Sequence, residues 1–287
     1  MNARTPNVSG LPGRWLRGTV GESPTARERA VIIPGVGFPR IVLPTPEALA
    51  EDAAQRFAEA ASDAVQSHGE FVVALSGGAT PRSLYARLAA PPYASMVPWS
   101  LMQVLWSDER CVAPNQAASN YRMAREALLD HVPIHAENVH RIRGEDAPAL
   151  AAQAYERTLR TVLRTPRGPP RETPGARIDL VLLGLGDDGH TASLFPGAHD
   201  VPDGEAWVVA RYHAASSQWR VTLTPLLINA AAEVLFLVSG EAKAAIVRRV
   251  LAGPLQPQAL PAHLIAPADG RMLWLLDAAA ARDLEAR

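Results

Sequence analysis

The 287-residue sequence predicts an α/β fold, with a mostly parallel sheet that carries helices on both of its faces. The first observation is that short apolar segments, typical of strands, alternate with longer segments of helical pattern. The second is that several apolar segments are nearly continuous, as residues 178–183 are, which is typical of parallel strands buried on both faces. The composition, 48% hydrophobic and 20% charged, is ordinary for a globular protein.

The chain divides into a short extension and one domain. Residues 1–38 are rich in Arg, Pro, Gly, Ser and Thr and lack the apolar core of a secretion signal, which predicts a disordered extension. Their arginine content and scarcity of acids are also features of transit peptides, so that alternative stays open. Residues 39–287 show no internal repeat and no clear linker, and we therefore expect a single domain.

Charge and cysteine content argue against several functional classes. The net charge of −1 gives no reason to expect nucleic acid or an anionic membrane as a partner. No apolar run reaches the roughly 18 residues that a membrane span requires. The single cysteine, Cys111, excludes an internal disulfide framework and a multi-cysteine metal site. It fits a reducing compartment such as the cytoplasm, which is where we expect the protein.

The first helix has the clearest boundaries. Thr45 and Pro46 are typical of an N-cap and a first helical residue, and Gly69 is typical of a stop after a helix that runs to about residue 67. Further helices are predicted over residues 81–89, 120–130, 147–163, 225–231 and 241–251. Strands are predicted over residues 40–43, 71–75, 104–106, 178–183, 207–210, 220–224, 234–238 and 272–276, with an edge strand over residues 139–142. Four prolines mark residues 165–177 as a surface connection.

A glycine-rich turn follows the strand over residues 178–183. Three glycines bend the backbone where open α/β sheets bind ligands, namely Gly184, Gly186 and Gly189. His190 lies at the exit of this turn, with Asp187 and Asp188 beside it. Imidazole titrates near neutrality, and a neighbouring acid can orient the ring or raise its basicity. The turn therefore predicts a general base presented to a ligand at the edge of the sheet.

Two other interpretations of this turn stay open. A histidine on a tight strand-to-helix turn can simply fill space. The glycine spacing also matches the G-x-G-x-x-G dinucleotide motif. Against that motif, Asp187 and Asp188 would place negative charge where a pyrophosphate must dock, and no strand ending in an acid is clearly placed about twenty residues further on.

A second glycine-rich turn follows the strand over residues 71–75. After Ser76, Gly77 and Gly78 let the backbone N–H groups approach a ligand closely, and Thr80 is predicted to cap the helix that begins at the next residue. Free amides and the helix dipole make such an end an anion site. The turn contains no lysine, so it is not a Walker A loop. A simple capped turn without a ligand is the alternative.

Charged residues follow the strand over residues 104–106. Asp108, Glu109 and Arg110 stand there in sequence, and a guanidinium at this place can hold a carboxylate, a phosphate or a developing oxyanion. Asn120, at the start of the next helix, can donate to a sugar hydroxyl. A solvated charge cluster is the alternative for the triplet, and helix capping is the alternative for the asparagine.

Two more cations lie near strand ends. Lys243 follows Gly240 in the first turn of a helix, where its charge opposes the helix dipole, and this favours an anionic ligand nearby. An ordinary surface lysine is the alternative. Arg220 begins a strand and is another candidate anion contact. Together these strand ends fit a small phosphorylated polyol or sugar that undergoes acid–base chemistry.

Over roughly residues 40–280 the sequence resembles the 6-phosphogluconolactonases. The motifs that carry the resemblance stand in the family's order: Ser76-Gly-Gly-Ala-Thr-Pro81, Ser107-Asp-Glu-Arg110, Ser119-Asn-Tyr121, Gly184-Leu-Gly-Asp-Asp-Gly-His-Thr-Ala-Ser-Leu-Phe-Pro196, Arg220-Val-Thr-Leu-Thr224, Gly240-Glu-Ala-Lys243 and Pro267-Ala-Asp-Gly-Arg-Met-Leu-Trp274. The resemblance implies hydrolysis of 6-phospho-D-glucono-1,5-lactone to 6-phospho-D-gluconate in the oxidative pentose phosphate pathway. It also implies the Rossmann-like α/β fold of glucosamine-6-phosphate deaminase and ribose-5-phosphate isomerase.

The same resemblance implies roles for individual residues. His190 is expected to deprotonate the attacking water, with Asp188 or Asp187 tuning it. Arg110 is expected to hold the lactone or its tetrahedral oxyanion. The expected substrate- and phosphate-binding residues are Ser76, Gly77, Gly78, Thr80, Asp108, Asn120, Arg220 and Lys243. The implied partner is a small phosphorylated sugar lactone, with no metal and no cofactor, and the implied assembly is a monomer or a weak homo-oligomer.

One departure and two rival functions accompany this resemblance. Ala118 stands where many relatives carry an acid before Ser-Asn, which puts a role for that acid in doubt here. The deaminase/isomerase branch reads Gly-His-Ile-Ala-Phe-Asn-Glu-Pro and places a carboxylate after its histidine, whereas residues 191–196 contain none, which favours the lactonase. A non-catalytic sugar-phosphate-binding regulator should lack His190 or carry a DNA-binding module, and residues 1–38 are too short and irregular for one.

Overall fold

A seven-stranded sheet forms the centre of the computed structural model, which describes residues 31–32, 38–164, 177–197, 205–267 and 269–284. The strands of this sheet and of a second, smaller one are, in chain order, β1 (Val31–Ile32), β2 (Arg40–Leu43), β3 (Phe71–Leu75), β4 (Met102–Trp106), β5 (Asp108–Arg110), β6 (Leu180–Leu183), β7 (Val208–His213), β8 (Gln218–Leu223), β9 (Glu233–Val238) and β10 (Arg271–Asp277). The large sheet has the order β1-β2-β10-β9-β6-β3-β4, and only the β1–β2 pair is antiparallel. The predicted mostly parallel sheet is confirmed.

Helices pack against this sheet and bury its side chains. They are α1 (Pro46–His68), α2 (Ala79–Leu88), α3 (Tyr93–Met96), α4 (Asn120–Ala127), α5 (Pro148–Arg164), α6 (Pro225–Asn229), α7 (Ala244–Ala252) and α8 (Ala278–Ala281). Every residue of β3, β4 and β6 is buried, although successive side chains of a strand point to opposite faces. Both faces of the sheet are therefore covered, as the continuous apolar runs predict.

The first helix forms as its sequence predicts. Thr45 Oγ1 accepts the backbone N–H of Ala48 at 3.2 Å, and Gly69 ends the helix with a left-handed φ of 92°. Its buried face carries apolar residues at helical spacing, including Leu49, Ala53, Phe57, Ala61 and Ala64. This amphipathic face is what attaches α1 to the sheet.

A separate antiparallel sheet of three strands, in the order β5-β8-β7, leaves the edge of the large sheet. The sequence analysis predicted the β7 and β8 segments as strands but assigned them no sheet of their own. It missed β5, because a three-residue Asp-Glu-Arg segment carries no apolar pattern. Ser107 alone separates β4 from β5, and its carbonyl accepts the N–H of Leu223 at 2.9 Å, so one chain segment joins the two sheets.

Several predicted boundaries were wrong. The edge strand predicted over residues 139–142 is only a single bridge between Val139 and Val104. Helix α4 ends at Ala127 rather than near residue 130, and a separate 3₁₀ turn follows it. Helix α7 begins only after a 3₁₀ turn over Glu241–Lys243.

Two further predictions fall largely outside the described residues. They are the disordered extension over residues 1–38 and the surface connection over residues 165–177. Within the extension, Val31–Ile32 is described and pairs with β2, which the sequence analysis did not predict. Within the described residues, no helix combines the length and apolar character that a membrane crossing requires.

Candidate active site

A cleft of about 490 Å³ lies where the carboxyl ends of β3, β6 and β9 face the three-stranded sheet. Its walls include Ser76, Gly77, Gly78, Thr80, Asp108, Arg110, Asp187, His190, Ser193, Phe195, His213, Arg220, Ser239 and Lys243. The structure thus brings together all the predicted site residues except Asp188 and Asn120, which do not line the cleft. Ligand sites at the carboxyl ends of parallel strands are the general rule for open α/β sheets.

Asp188 does not line the cleft, but it contacts His190 at two atoms. Asp188 Oδ1 accepts the backbone N–H of His190 at 3.0 Å and lies 2.6 Å from His190 Nδ1. Burial disfavours the carboxylate, but the backbone N–H and the ring of His190 outweigh it and hold the pKa of Asp188 below its ordinary value. The acid therefore stays ionised, and it fixes the orientation of the ring.

The glycines of this turn make room for the imidazole. A Cβ at Gly186 would lie 2.1 Å from both Cε1 and Nδ1 of the His190 ring, closer than any real contact. Gly186 also donates its N–H to the carbonyl of His190 at 2.8 Å, which closes the turn. Gly189 has a φ of 88°, a conformation that favours glycine. The glycine-rich sequence thus serves close packing around the histidine.

The neighbouring acid has a different contact. Asp187 Oδ1 lies 2.5 Å from Lys243 Nζ, and Asp187 is largely exposed, with 82% of its side-chain surface accessible. Lys243 is the last residue before α7, and its ammonium reaches the cleft. The two adjacent acids of the turn are therefore divided between the histidine and the lysine.

The loop after β3 and the start of α2 form another part of the cleft wall. Gly78 has a φ of 110° and is the N-cap of α2, which begins at Ala79. The predicted capping role of Thr80 was wrong, because Thr80 lies inside the helix and its hydroxyl is 2.9 Å from Ser239 Oγ. The first-turn amides of a helix have no intrahelical acceptor, so this end of α2 still presents backbone donors to the cleft.

Two arginines face the cleft from the three-stranded sheet. Arg110 on β5 is in register with Arg220 on β8, so both side chains project from the same face. The Nε atoms of both are buried and have no hydrogen-bond partner among the described residues, although Arg110 Nη1 donates to the carbonyl of Ala118 at 2.6 Å. Burial, and then the charge of Arg110, lower the pKa of Arg220. Two adjacent guanidiniums with unused donors are suited to an anionic ligand.

Acidic residues beneath these arginines have structural contacts. Glu109 accepts N–H groups of Asn120 and Tyr121 at 2.7 and 2.8 Å, and so ties β5 to the start of α4. Asp108 Oδ2 accepts the hydroxyl of Ser193 at 2.7 Å, and Asp108 Oδ1 accepts Asn120 Nδ2 at 3.1 Å. Asn120 is therefore buried behind Asp108, where it supports the cleft rather than lining it.

Sequence reasoning missed two aromatic residues of the cleft. The Phe195 ring stacks on His213, with 4.3 Å between centroids, and meets His190 edge-on at 5.1 Å. Phe195 belongs to the motif that follows His190, but no role was predicted for it. His213 lies three residues beyond the predicted end of its strand, and no local pattern marks it. It reaches the cleft only through the pairing of β7 with β8.

Comparisons with known proteins agree with this geometry. The family model for glucosamine-6-phosphate isomerases/6-phosphogluconolactonase matches residues 44–274. A 6-phosphogluconolactonase of Haemophilus influenzae is 39% identical over 210 residues, which cover 73% of this chain and 86% of the relative. The structure is similar to that of 6-phosphogluconolactonase from Trypanosoma brucei, with a TM-score of 0.73, 29% identity and coverage of 88% of this chain and 100% of that chain.

A more distant structure shares the fold alone. A monomeric glucosamine-6-phosphate deaminase matches with a TM-score of 0.70 at 20% identity, over 85% of this chain and 99% of that chain. The fold implied by the sequence resemblance is therefore confirmed. Because the family model spans most of the sequence and the Haemophilus relative is covered over most of its length, the resemblance itself is confirmed as well. The chain belongs to the glucosamine-6-phosphate isomerase/6-phosphogluconolactonase family.

Proposed function

We propose that the protein hydrolyses 6-phospho-D-glucono-1,5-lactone to 6-phospho-D-gluconate in the oxidative pentose phosphate pathway, with a water molecule activated by His190. The observation that carries the proposal is the 2.6 Å contact between His190 Nδ1 and Asp188 Oδ1, at a cleft that three cationic side chains also line. Relatives at 39% and 41% identity carry the name 6-phosphogluconolactonase, which supports this reaction over others of the family.

The Asp188 contact defines which nitrogen of His190 acts. A carboxylate only accepts hydrogen bonds, so Nδ1 carries the hydrogen that it shares with Asp188. Nε2 then keeps its lone pair and is available to accept a proton from water. An oriented imidazole with a fixed tautomer is the arrangement by which a carboxylate supports a histidine base in other hydrolases.

The phosphate of the substrate is assigned to the cationic end of the cleft. Arg220 and Lys243 supply charged donors there, and the start of α2 after Gly77 and Gly78 supplies backbone amides. An ammonium group has three hydrogens, so the contact with Asp187 leaves Lys243 free to donate to a phosphate as well. In this assignment the lactone carbonyl lies near His190 and Arg110.

The reaction then needs one base and one stabilising cation. His190 Nε2 takes a proton from water as the oxygen attacks C1, and the Arg110 guanidinium stabilises the oxyanion that forms there. The C1–O5 bond breaks as the intermediate collapses, and protonated His190 returns its proton to O5. The carboxylic acid formed at C1 ionises in water. A lactone is already electrophilic, so this step requires no covalent enzyme intermediate.

Lactone hydrolysis measured beside a spontaneous blank tests the proposal. We expect the wild-type protein to exceed the blank, and His190→Ala and His190→Gln to lose a factor of about 10² to 10⁴ in kcat while still binding 6-phosphogluconate. Glucosamine 6-phosphate serves as the comparison substrate and should not be deaminated, since residues 191–196 contain no acid. Wild-type turnover equal to the blank would overturn the reaction, and an active His190→Ala would overturn the role of the base.

The setting of the enzyme is part of the same proposal. We infer a protein that acts in the cytoplasm on a small phosphorylated lactone, as a monomer or weak homo-oligomer and without nucleic acid. Sedimentation across a range of protein concentrations tests the assembly. A tight complex at the lowest concentration would contradict it.

A further inference from the structure

A second imidazole, that of His213, faces the cleft near the proposed base. It is the last residue of β7, and its ring is positioned by stacking on Phe195, with 4.3 Å between centroids and 19° between planes. Its centroid lies 6.2 Å from that of His190, and the two rings are tilted by 54°. His213 is therefore held in the cleft at a fixed distance from the reacting end.

The hydrogen-bond partner of His213 is compatible with the tautomer that carries the ring hydrogen on Nε2. Ser216 Oγ lies 2.6 Å from His213 Nδ1 and 3.4 Å from Arg220 Nη2. A guanidinium only donates, so the serine oxygen accepts from Arg220, and its hydroxyl hydrogen is available to Nδ1. When the serine donates to Nδ1, the ring hydrogen resides on Nε2. His213 then presents an N–H group rather than a lone pair.

The remaining nitrogen has no protein partner. Among the described residues, nothing forms a hydrogen bond with His213 Nε2. Burial lowers the pKa of His213, and the nearby charges of Arg220 and His190 lower it further, so the ring is neutral near pH 7. The phosphate already has the charged donors of Arg220 and Lys243 and the amides of α2, so it does not need this neutral donor. The His213 donor is suited to an uncharged oxygen such as a hydroxyl group.

The contacts of His213 also place it along the substrate. Ser216 connects it to Arg220, which belongs to the phosphate end, and Phe195 connects it to His190, which belongs to the lactone carbonyl end. Along the carbon chain of a bound sugar lactone, the hydroxyls on C2, C3 and C4 lie between C1 and the phosphate-bearing C6, on the side of the ring away from O5. Among the described residues that line the cleft, His213 lies at this intermediate position and keeps an unused donor.

We propose that His213 is a specificity-determining residue whose Nε2–H donates a hydrogen bond to one ring hydroxyl of the substrate. This assignment rests on the proposed lactonase function. It adds to that function a selection among phosphorylated lactones, because a substrate without the contacted hydroxyl covers this donor and leaves it unpaired. The remaining contacts, to phosphate and carbonyl, would not distinguish such substrates.

Deoxy analogues of the substrate test this contact. The kcat and KM of wild type, His213→Ala and His213→Gln are measured on the parent lactone and on its 2-, 3- and 4-deoxy analogues. On the parent lactone, we expect the kcat/KM of His213→Ala to be about tenfold lower than that of wild type, through a higher KM. With the wild-type protein, we expect one deoxy analogue to show a loss of about the same size. That analogue should lose nothing further with His213→Ala. Glutamine places a donor where Nε2 stands, so His213→Gln should keep most of the discrimination.

Controls separate this inference from the function on which it rests. His135→Ala removes an exposed histidine that does not line the cleft and should match wild type on every substrate. Two results with an active wild type would overturn the contact and leave the lactonase function intact. The first is an equal kcat/KM of wild type and His213→Ala on the parent lactone. The second is that every loss seen with a deoxy analogue persists in His213→Ala. A fall in kcat with unchanged KM would overturn it too, since His213 would then act in the chemical step. A wild type no faster than the blank would overturn the function and this role together.

Discussion

One oxygen of Asp188 contacts both the backbone and the ring of His190, accepting the N–H at 3.0 Å and lying 2.6 Å from Nδ1. The orientation of the ring and the position of its hydrogen therefore depend on the same atom. Asp187, the preceding residue, contacts Lys243 instead. The sequence left open which acid tunes the histidine, and the geometry assigns that contact to Asp188.

Replacing Asp188 with asparagine should reduce kcat by about 100-fold. An amide can donate to Nδ1, which favours the tautomer with its hydrogen on Nε2 and leaves no lone pair for the attacking water. Lactone hydrolysis and calorimetric binding of 6-phosphogluconate measure the effect, and binding should change little. Asp187→Asn is the matched control, and it should act mainly on KM through Lys243. Equal kcat losses in the two variants would contradict the division of roles.

Gly186→Ala should inactivate the enzyme without unfolding it. The new Cβ would lie 2.1 Å from the His190 ring, so the ring must leave its position, and a displacement of about 1 Å can cost about 100-fold in rate. Gly184→Ala is the control, because a Cβ there meets nothing within 4 Å. Thermal melting and kcat are measured on both variants. An active Gly186→Ala would show that the ring position is not critical.

Arg220→Ala should weaken recognition of the phosphate selectively. A charge-assisted hydrogen bond contributes about 1.5–3 kcal/mol, so KM for the phosphorylated lactone should rise about 10- to 100-fold. Turnover of unphosphorylated gluconolactone should stay the same, because that substrate makes no use of the cation. Arg143→Ala, at a largely exposed arginine outside the cleft, is the control and should leave both substrates unaffected. Equal losses on both lactones would place Arg220 at the reacting end.

A histidine near the amino ends of β3 and β6, away from the cleft, predicts a pH dependence of stability. His68 Nε2 lies 3.0 Å from Asp179 Oδ1, and this hydrogen bond raises the pKa of His68 against the opposing effect of burial. The charge of Glu70 raises it as well, while that of Arg177 lowers it. Because the folded pKa exceeds the unfolded one of about 6.5, the stabilisation is complete below that pH and is lost as pH rises through the folded value.

Denaturant unfolding of wild type and His68→Gln checks this dependence. The difference in their free energies of unfolding should be larger at about pH 5.5 than at about pH 9. His135→Ala serves as the control, since His135 forms no ion pair with any other residue that the structure describes. A difference that is constant across this range would mean that the ion pair does not contribute.

Local signals predicted much of the fold. Thr45, Pro46 and Gly69 fixed the ends of α1, because caps and stops depend on residues close in sequence. Continuous apolar runs fixed β3 and β9 within a residue for the same reason. The three-stranded sheet was not separated from the large one, because sheet membership depends on pairing between distant segments.

The candidate site shows the same limit. Motifs at strand ends predicted His190, Arg110 and Lys243, which all reach the cleft. His213 was missed, because its place depends on the pairing of β7 with β8 and not on its neighbours in the chain. Asn120 was predicted as a ligand contact, but it is buried behind Asp108, whose carboxylate accepts its amide N–H. No sequence pattern indicates this contact.

The short junction at Ser107 has a consequence for how the cleft tolerates change. His190 and Lys243 are carried by the large sheet and both cleft arginines by the small one, and Ser107 alone links β4 to β5. Each end of the proposed ligand is therefore contacted from both sheets, the reacting carbon by His190 and Arg110 and the phosphate by Lys243 and Arg220. A substitution that shifts one sheet against the other would disturb both ends at once, so turnover and phosphate recognition would fall together.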